Sequence, residues 1–128
     1  MSERRRCIMV VDDDSTVREL LLITLGGRYN VICLPNGDDI VDLITSYMPN
    51  LLVLDINLPG ADGYAVCREV RSLTMLRHLP VLFLSVRRDD QSFLKGLESG
   101  GASFLSKPFD ISALNERVEY LLRSYRTA

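Results

Sequence analysis

The chain reads as an α/β protein on a parallel five-stranded sheet, and three observations carry that reading. Five runs rich in Val, Ile, Leu and Phe, at 8–11, 31–34, 51–54, 81–84 and 103–105, lack the apolar–polar alternation of a half-exposed strand. Each therefore reads as a strand covered on both faces. After each run comes a segment whose apolar residues recur at helical spacing. Where four of the runs stop, a side chain capable of chemistry follows: Asp12 and Asp13, then Asp55, Ser85 and Lys107. An open parallel sheet presents its chemistry at these strand C-termini.

The helical segments are marked by Val17, Leu20, Leu21 and Leu25; by Ile40, Val41, Ile44 and Tyr47; by Tyr64, Cys67, Val70 and Arg71; by Phe93, Leu94 and Leu97; and by Ile111, Leu114, Val118, Leu121 and Tyr125. Thr16 with Glu19 three residues on suggests a capping box for the first helix, and Gly26-Gly27 a stop. Asn36-Gly37 marks a turn before the second helix, Pro49 precedes the third strand, and Asp110 can cap the last helix. Strand–helix–strand crossovers are right-handed in nearly all proteins, so (βα) repeated five times predicts a sheet sandwiched between helices.

Length and composition exclude several classes. At 128 residues the chain is expected to form one domain over 1–128, either complete or as the N-terminal part of a longer protein. A net charge of -2 gives no general attraction to nucleic acid. The Arg4-Arg5-Arg6 run reads as a solvated flank. Cys7, Cys33 and Cys67 are odd in number, far apart and without a CxxC, as expected of small core residues in a reduced protein. No apolar stretch approaches membrane-spanning length and MSERRR lacks a signal-peptide core. A cytoplasmic protein with no membrane partner is expected.

Two acids after the first strand and one after the third lie a few ångströms apart if those strands are neighbours. At about 5 Å and an effective dielectric near 20, each charge pair repels by roughly 3 kcal/mol. Such a cluster takes up a proton or holds a cation, and a few hard oxygens open to water favour Mg2+. Asp12, Asp13 and Asp14 alone could equally be loop and cap residues; Asp55 in LLVLD followed by INLPG weakens that alternative. A carboxylate beside a metal can attack phosphorus to give an aspartyl phosphate. Ser85 offers a hydroxyl and Lys107 an ammonium. Lys107 stands out because Lys95 is the only other lysine in an arginine-rich chain.

The strings VVDDD, LVLDINLPGADGY, PVLFLS and GLESGGASFLSKPF, in that order and spacing, resemble the receiver domain of two-component response regulators over essentially the whole chain. The resemblance implies a flavodoxin-like (βα)5 three-layer sandwich with sheet order 2-1-3-4-5. It implies Mg2+, with Mn2+ able to substitute, on Asp12, Asp13, Asp55 and the backbone carbonyl of Asn57. Asp55 would be the phosphoacceptor, Ser85 the hydroxyl residue, Lys107 the phosphate-pairing lysine, and Lys107–Pro108 a cis peptide. Phe104, three residues before Lys107, would be the aromatic that turns inward behind Ser85 when the site is phosphorylated. The implied donor is a sensor histidine kinase or histidine phosphotransfer protein. The implied output is a downstream protein or fused domain on the face formed by the fourth helix, the fifth strand and the fifth helix, without direct nucleic-acid contact.

Three positions depart from the usual receiver pattern. Val86 stands where Ala or Gly is common and would narrow access to the site. Arg87 could reach over it and alter the lifetime of the phosphoryl group. Phe93 replaces a polar residue on the fourth helix, as a partner surface or a partly buried position. His78 carries no phosphodonor signal and reads as loop structure.

The leading expectation is thus a phosphorylation-dependent switch and not an enzyme, beyond self-phosphorylation from small donors and self-dephosphorylation. A haloacid-dehalogenase-like phosphatase also uses a strand-end Asp, but its second acid would fall on Asn57, which cannot protonate a leaving group. A flavodoxin-like cofactor binder needs glycines in the first loop, which here is DDDSTV. A degenerate receiver that acts only as an interaction module is the remaining alternative.

Overall fold

A computed structural model describes residues 5–86 and 90–124, with the side chains of 90–93 outside the description. Five strands form one parallel sheet: β1 (Cys7–Val11), β2 (Asn30–Leu34), β3 (Leu51–Asp55), β4 (Val81–Ser85) and β5 (Ser103–Ser106). Their order is β2-β1-β3-β4-β5, the expected one. Helices α1 (Ser15–Leu25), α2 (Ile40–Tyr47), α3 (Gly63–Arg71), α4 (Asp90–Glu98) and α5 (Ile111–Ser124) alternate with the strands.

Because side chains alternate across each strand, the sheet feeds two cores. Ile8, Val10, Val53, Leu82 and Leu84 pack on one side with Leu21 and Leu25 of α1 and Leu114, Val118 and Leu121 of α5. Met9, Val11, Leu52, Leu54 and Phe83 pack on the other with Ile40 and Ile44 of α2 and Tyr64, Cys67 and Val70 of α3. On that second side α4 comes close at Gly96, whose added Cβ would lie 3.2 Å from the Phe83 ring. The i, i+4, i+7 spacing of Leu114, Val118 and Leu121 is the stripe a helix needs to cover a sheet.

Several local expectations change. Strands β1, β3 and β4 are covered on both faces, but the edge strands β2 and β5 are only partly buried, since each has a neighbour on one side alone. Asp14, not Thr16, caps α1: its carboxylate accepts from the Thr16 amide at 2.9 Å. Asp110 does cap α5, accepting from the Ser112 amide at 3.2 Å. Tyr47, Leu94, Leu97 and Ile111 lie on helices yet are about half exposed, and Leu20 is exposed at the edge of its stripe. Tyr125 and Arg4 lie outside the described residues.

Arg5 and Arg6 are exposed but not merely solvated. Arg5 Nη1 donates to Gly26 O at the end of α1, and Arg6 Nη1 to Leu122 O in the last turn of α5, both at 2.9 Å. Guanidinium groups there satisfy carbonyls that the helices leave unpaired and oppose the negative end of the macrodipole. The three cysteines are free: Cys67 is buried, while Cys7 and Cys33 are only partly so. Burial pushes all three thiols above their ordinary values, so they remain protonated. His78 is exposed in the loop before β4. Among the described residues no helix is long and apolar enough to cross a membrane.

Candidate phosphoacceptor site

Strand register brings the acids together. Val11 pairs with Leu54, so Asp12 and Asp55 are the next residues on adjacent parallel strands and emerge at one level. One oxygen from each of Asp12, Asp13 and Asp55 lies within 4.8 Å of the others. Ser85 is paired with Ser106 one step further out, which puts Lys107 just past the rim of β5. The Lys107 amide donates to Ser85 O at 2.7 Å, and its ammonium turns back over the acids, 2.8 Å from Asp12 Oδ2 and 3.4 Å from Asp55 Oδ2. The Lys107–Pro108 bond is cis.

The loops at these strand ends are held by short hydrogen bonds. Asp12 Oδ1 accepts from the Asp14 amide at 2.9 Å, and Asp55 Oδ1 from the Asn57 amide at 3.1 Å. Each acid thus spends one oxygen on its own loop and turns the other inward. Beyond Asp55 the chain forms a two-residue antiparallel ladder, Asn57–Leu58 with Ala61–Asp62, across a turn in which Gly60 has φ 69°. That ladder leads directly into α3, and the Gly63 amide donates to Ile56 O at 2.7 Å. An added Cβ on Gly63 would lie 2.5 Å from Asp55 O and 2.6 Å from Ile56 Cα, so the close approach of α3 beneath Asp55 requires glycine.

The electrostatics follow from burial. Asp12 and Ser85 are completely buried, Asp55 nearly so, and Asp13 is exposed. Burial raises the Asp55 carboxyl above the ordinary carboxylate value; the Asn57 amide opposes this, neighbouring Asp12 adds to it, and Lys107 opposes it. For Lys107, burial alone would lower the ammonium, but its contacts with Asp12 and Asp55 outweigh that and hold it above the ordinary lysine value. The Lys107 ammonium is therefore held in its charged form beside Asp12 and Asp55.

Asp12 Oδ2 has charge compensation from Lys107 but no well-directed hydrogen bond, although it is fully buried. Such an oxygen, with two more carboxylates within reach, is a donor set a hard divalent cation fits. An open cleft of about 410 Å³, bordered by Asp13, Asn57, Pro59 and Asp62, leaves room for the water that Mg2+ retains.

The sequence-derived residues therefore sit together at one end of the sheet: Asp12, Asp13, Asp55, Ser85, Lys107 and, beside them, Asn57. Phe104 lies on β5 and is partly buried against the core shared with α2 and α3. Val86 is 66% exposed beside the buried Ser85. Arg87 and the Phe93 side chain lie outside the described residues. Not anticipated were the ladder after Asp55 and the contact of Arg18 Nη1 with the Asp12 carbonyl at 2.8 Å. The PGADG string of the ladder is a visible turn signal, whereas nothing local announces the Arg18 contact.

Residues 8–119 match the family model of the response regulator receiver domain, and the chain belongs to that family. Solved structures agree. A protein from Chloroflexus aurantiacus J-10-fl assigned as a response regulator is 35% identical, with 94% of this chain and 99% of that one covered and a TM-score of 0.88. The signal receiver domain of a signal transduction histidine kinase from Syntrophus aciditrophicus is 31% identical, covering 96% and 95%, with a TM-score of 0.84. The BeF3-activated receiver domain of DrrB is 31% identical, covering 93% and 98%, with a TM-score of 0.83. In the longer DrrB structure, a Thermotoga maritima OmpR/PhoB homolog, the match covers 53% of that chain. Receiver domains serve two-component signalling, and this chain has their flavodoxin-like fold.

Proposed function

We propose that this chain is a phosphorylation-dependent signalling switch that accepts a phosphoryl group on Asp55. The observation that supports this most directly is the convergence of Asp12, Asp13 and Asp55 within 4.8 Å, with Lys107 2.8 Å and 3.4 Å from Asp12 and Asp55. Asp12, Asp13, Asp55 and the Asn57 carbonyl would hold Mg2+, which when bound supplies positive charge to the phosphoryl oxygens. An Asp55 oxygen attacks the phosphorus of a phosphohistidine on a sensor kinase or phosphotransfer protein. The new P–O bond forms as the P–N bond breaks, and the imidazole leaves with the electron pair. Positioning and charge stabilisation dominate such a transfer, and Lys107 supplies a fixed cation for an oxygen of the transferred group.

The added dianion gives Ser85 a charge-assisted partner and draws it inward. Phe104 follows, changing the surface formed by α4, β5 and α5, where Leu94, Leu97, Ile111 and Tyr120 are exposed for a downstream protein or fused output domain. We take residues 1–128 to be one receiver unit working in the cytoplasm as a phosphoacceptor.

Beryllofluoride, a phosphoryl mimic, tests the switch. With Mg2+ it should shift the amide NMR resonances of Ser85, Phe104 and the α4 residues in the parent and leave those of Asp55→Asn in place. Unchanged spectra in the parent would favour a phosphorylation-independent interaction module.

A further inference from the structure

We propose that Arg18 is a positioning residue for the acidic pair, holding the Asp12–Asp13 peptide so that Asp13 can join Asp12 on a divalent cation. This inference rests on the metal reading of the site given above.

Arg18 lies in the first turn of α1, and one residue grips both sides of the acidic loop. Its amide donates to Asp14 O at 3.0 Å, while its guanidinium folds back to donate to Asp12 O at 2.8 Å in a part-buried position. The carbonyl of Asp12 belongs to the peptide joining Asp12 to Asp13. Fixing that plane restricts ψ of Asp12 and φ of Asp13 together, and these two angles aim the Asp13 side chain.

Asp13 needs such a constraint more than its neighbours. Asp12 is tied at its amide to Leu34 O and through Oδ1 to the Asp14 amide, and Asp55 is tied to the Asn57 amide. Among the described residues no hydrogen bond holds the exposed Asp13 carboxylate. Yet one of its oxygens must lie within 4.8 Å of those of Asp12 and Asp55 to complete the donor set. The backbone from which it departs is then its restraint, and Arg18 supplies the side-chain contact to that backbone.

The target of the guanidinium also matters. Aimed at carboxylate oxygens, an arginine would form a bidentate pair and compete with a cation for them. Among the described residues Arg18 makes no ion pair with any of the three acids; it takes the carbonyl and leaves their oxygens to the metal. Behind it, the Arg18 carbonyl faces Cys33 Sγ at 3.7 Å on β2, so the residue is braced between α1 and the sheet edge.

Two opposing effects make the test decisive. A nearby positive charge repels a divalent cation, so if Arg18 acted through charge alone, removing it would tighten Mg2+ binding. If it acts by positioning, removal weakens binding. Calorimetric Mg2+ titration of the full chain, well below its melting temperature, would compare the parent with Arg18→Met, which keeps the stem, and Arg18→Lys, which keeps one donor and the charge. Expected is a Kd about tenfold higher in Arg18→Met, the equivalent of one net hydrogen bond, and within about twofold of the parent in Arg18→Lys. A tighter Kd in Arg18→Met, or an unchanged Kd with only a lower melting temperature, would overturn the role. If the parent itself does not bind Mg2+, the metal reading falls and this role with it. An Arg18→Met that failed to fold would leave Arg18→Lys as the test, and a tenfold loss there would contradict a single-donor restraint.

Discussion

Lys107 Nζ lies closer to Asp12, at 2.8 Å, than to the proposed acceptor Asp55, at 3.4 Å. In this state the ammonium chiefly compensates a buried metal-ligand candidate. In the proposed function it would be shared with a phosphoryl group on Asp55 once a cation takes over Asp12.

Lys107→Met should therefore strand the Asp12 carboxylate without a counter-charge. Breaking a buried pair by removing one partner costs on the order of 3 kcal/mol. Denaturant unfolding without divalent cation should show that loss, and Mg2+ should restore more stability to the variant than it adds to the parent. A variant as stable as the parent without Mg2+ would mean that the pair contributes nothing in solution.

The raised Asp55 carboxyl has a definite consequence for pH. A group whose folded value lies above its unfolded one favours the fold while protonated, and that contribution is lost as pH rises through the folded value. At pH 7 without metal, Asp55→Asn should thus melt higher than the parent. The difference should shrink as pH falls toward about 3.9, where the unfolded carboxyl is half protonated. Lys107, also raised, stabilises below about 10.4 and loses that contribution as pH climbs through its folded value. The parent should therefore lose stability at alkaline pH more steeply than Lys107→Met. Melting curves across pH for the three proteins check both signs.

Gly63→Ala should disturb the backbone under Asp55. A Cβ 2.5 Å from Asp55 O cannot be accommodated without moving backbone, at a cost of about 2 kcal/mol. The acceptor loop should shift with it. Expected are a lower unfolding midpoint and slower phosphoryl uptake together; unchanged values would show that α3 can withdraw freely.

Val86→Ala removes an exposed branched side chain beside Ser85, so stability should change by less than about 0.5 kcal/mol. Uptake from a small donor should rise several-fold if Val86 narrows access. Equal rates would assign no gating to this position.

How much of this was legible in the sequence depends on the range of the interactions. Strands β1, β3 and β4 were plain because central parallel strands are apolar on both faces, and Asp12, Asp55 and Ser85 at their ends were plain because the runs stop so abruptly. Edge strands β2 and β5 look the same in composition, since exposure at an edge comes from a missing neighbour and not from the residues. The loop DDDST offers cap chemistry at several positions, and only backbone direction selects Asp14 over Thr16. The ladder at Asn57–Asp62 is too short to have a period. Arg6 and Leu122 meet across 116 residues, a contact no local pattern announces.

Acceptor chemistry is tested most directly by intact mass after incubation with a small acyl-phosphate donor, with and without Mg2+, for the parent and Asp55→Asn. Expected is one added phosphoryl group in the parent only when Mg2+ is present, and none in Asp55→Asn. A parent that stays unmodified while Val86→Ala also stays unmodified, or an adduct that survives in Asp55→Asn, would contradict the assignment of Asp55 as the phosphoacceptor.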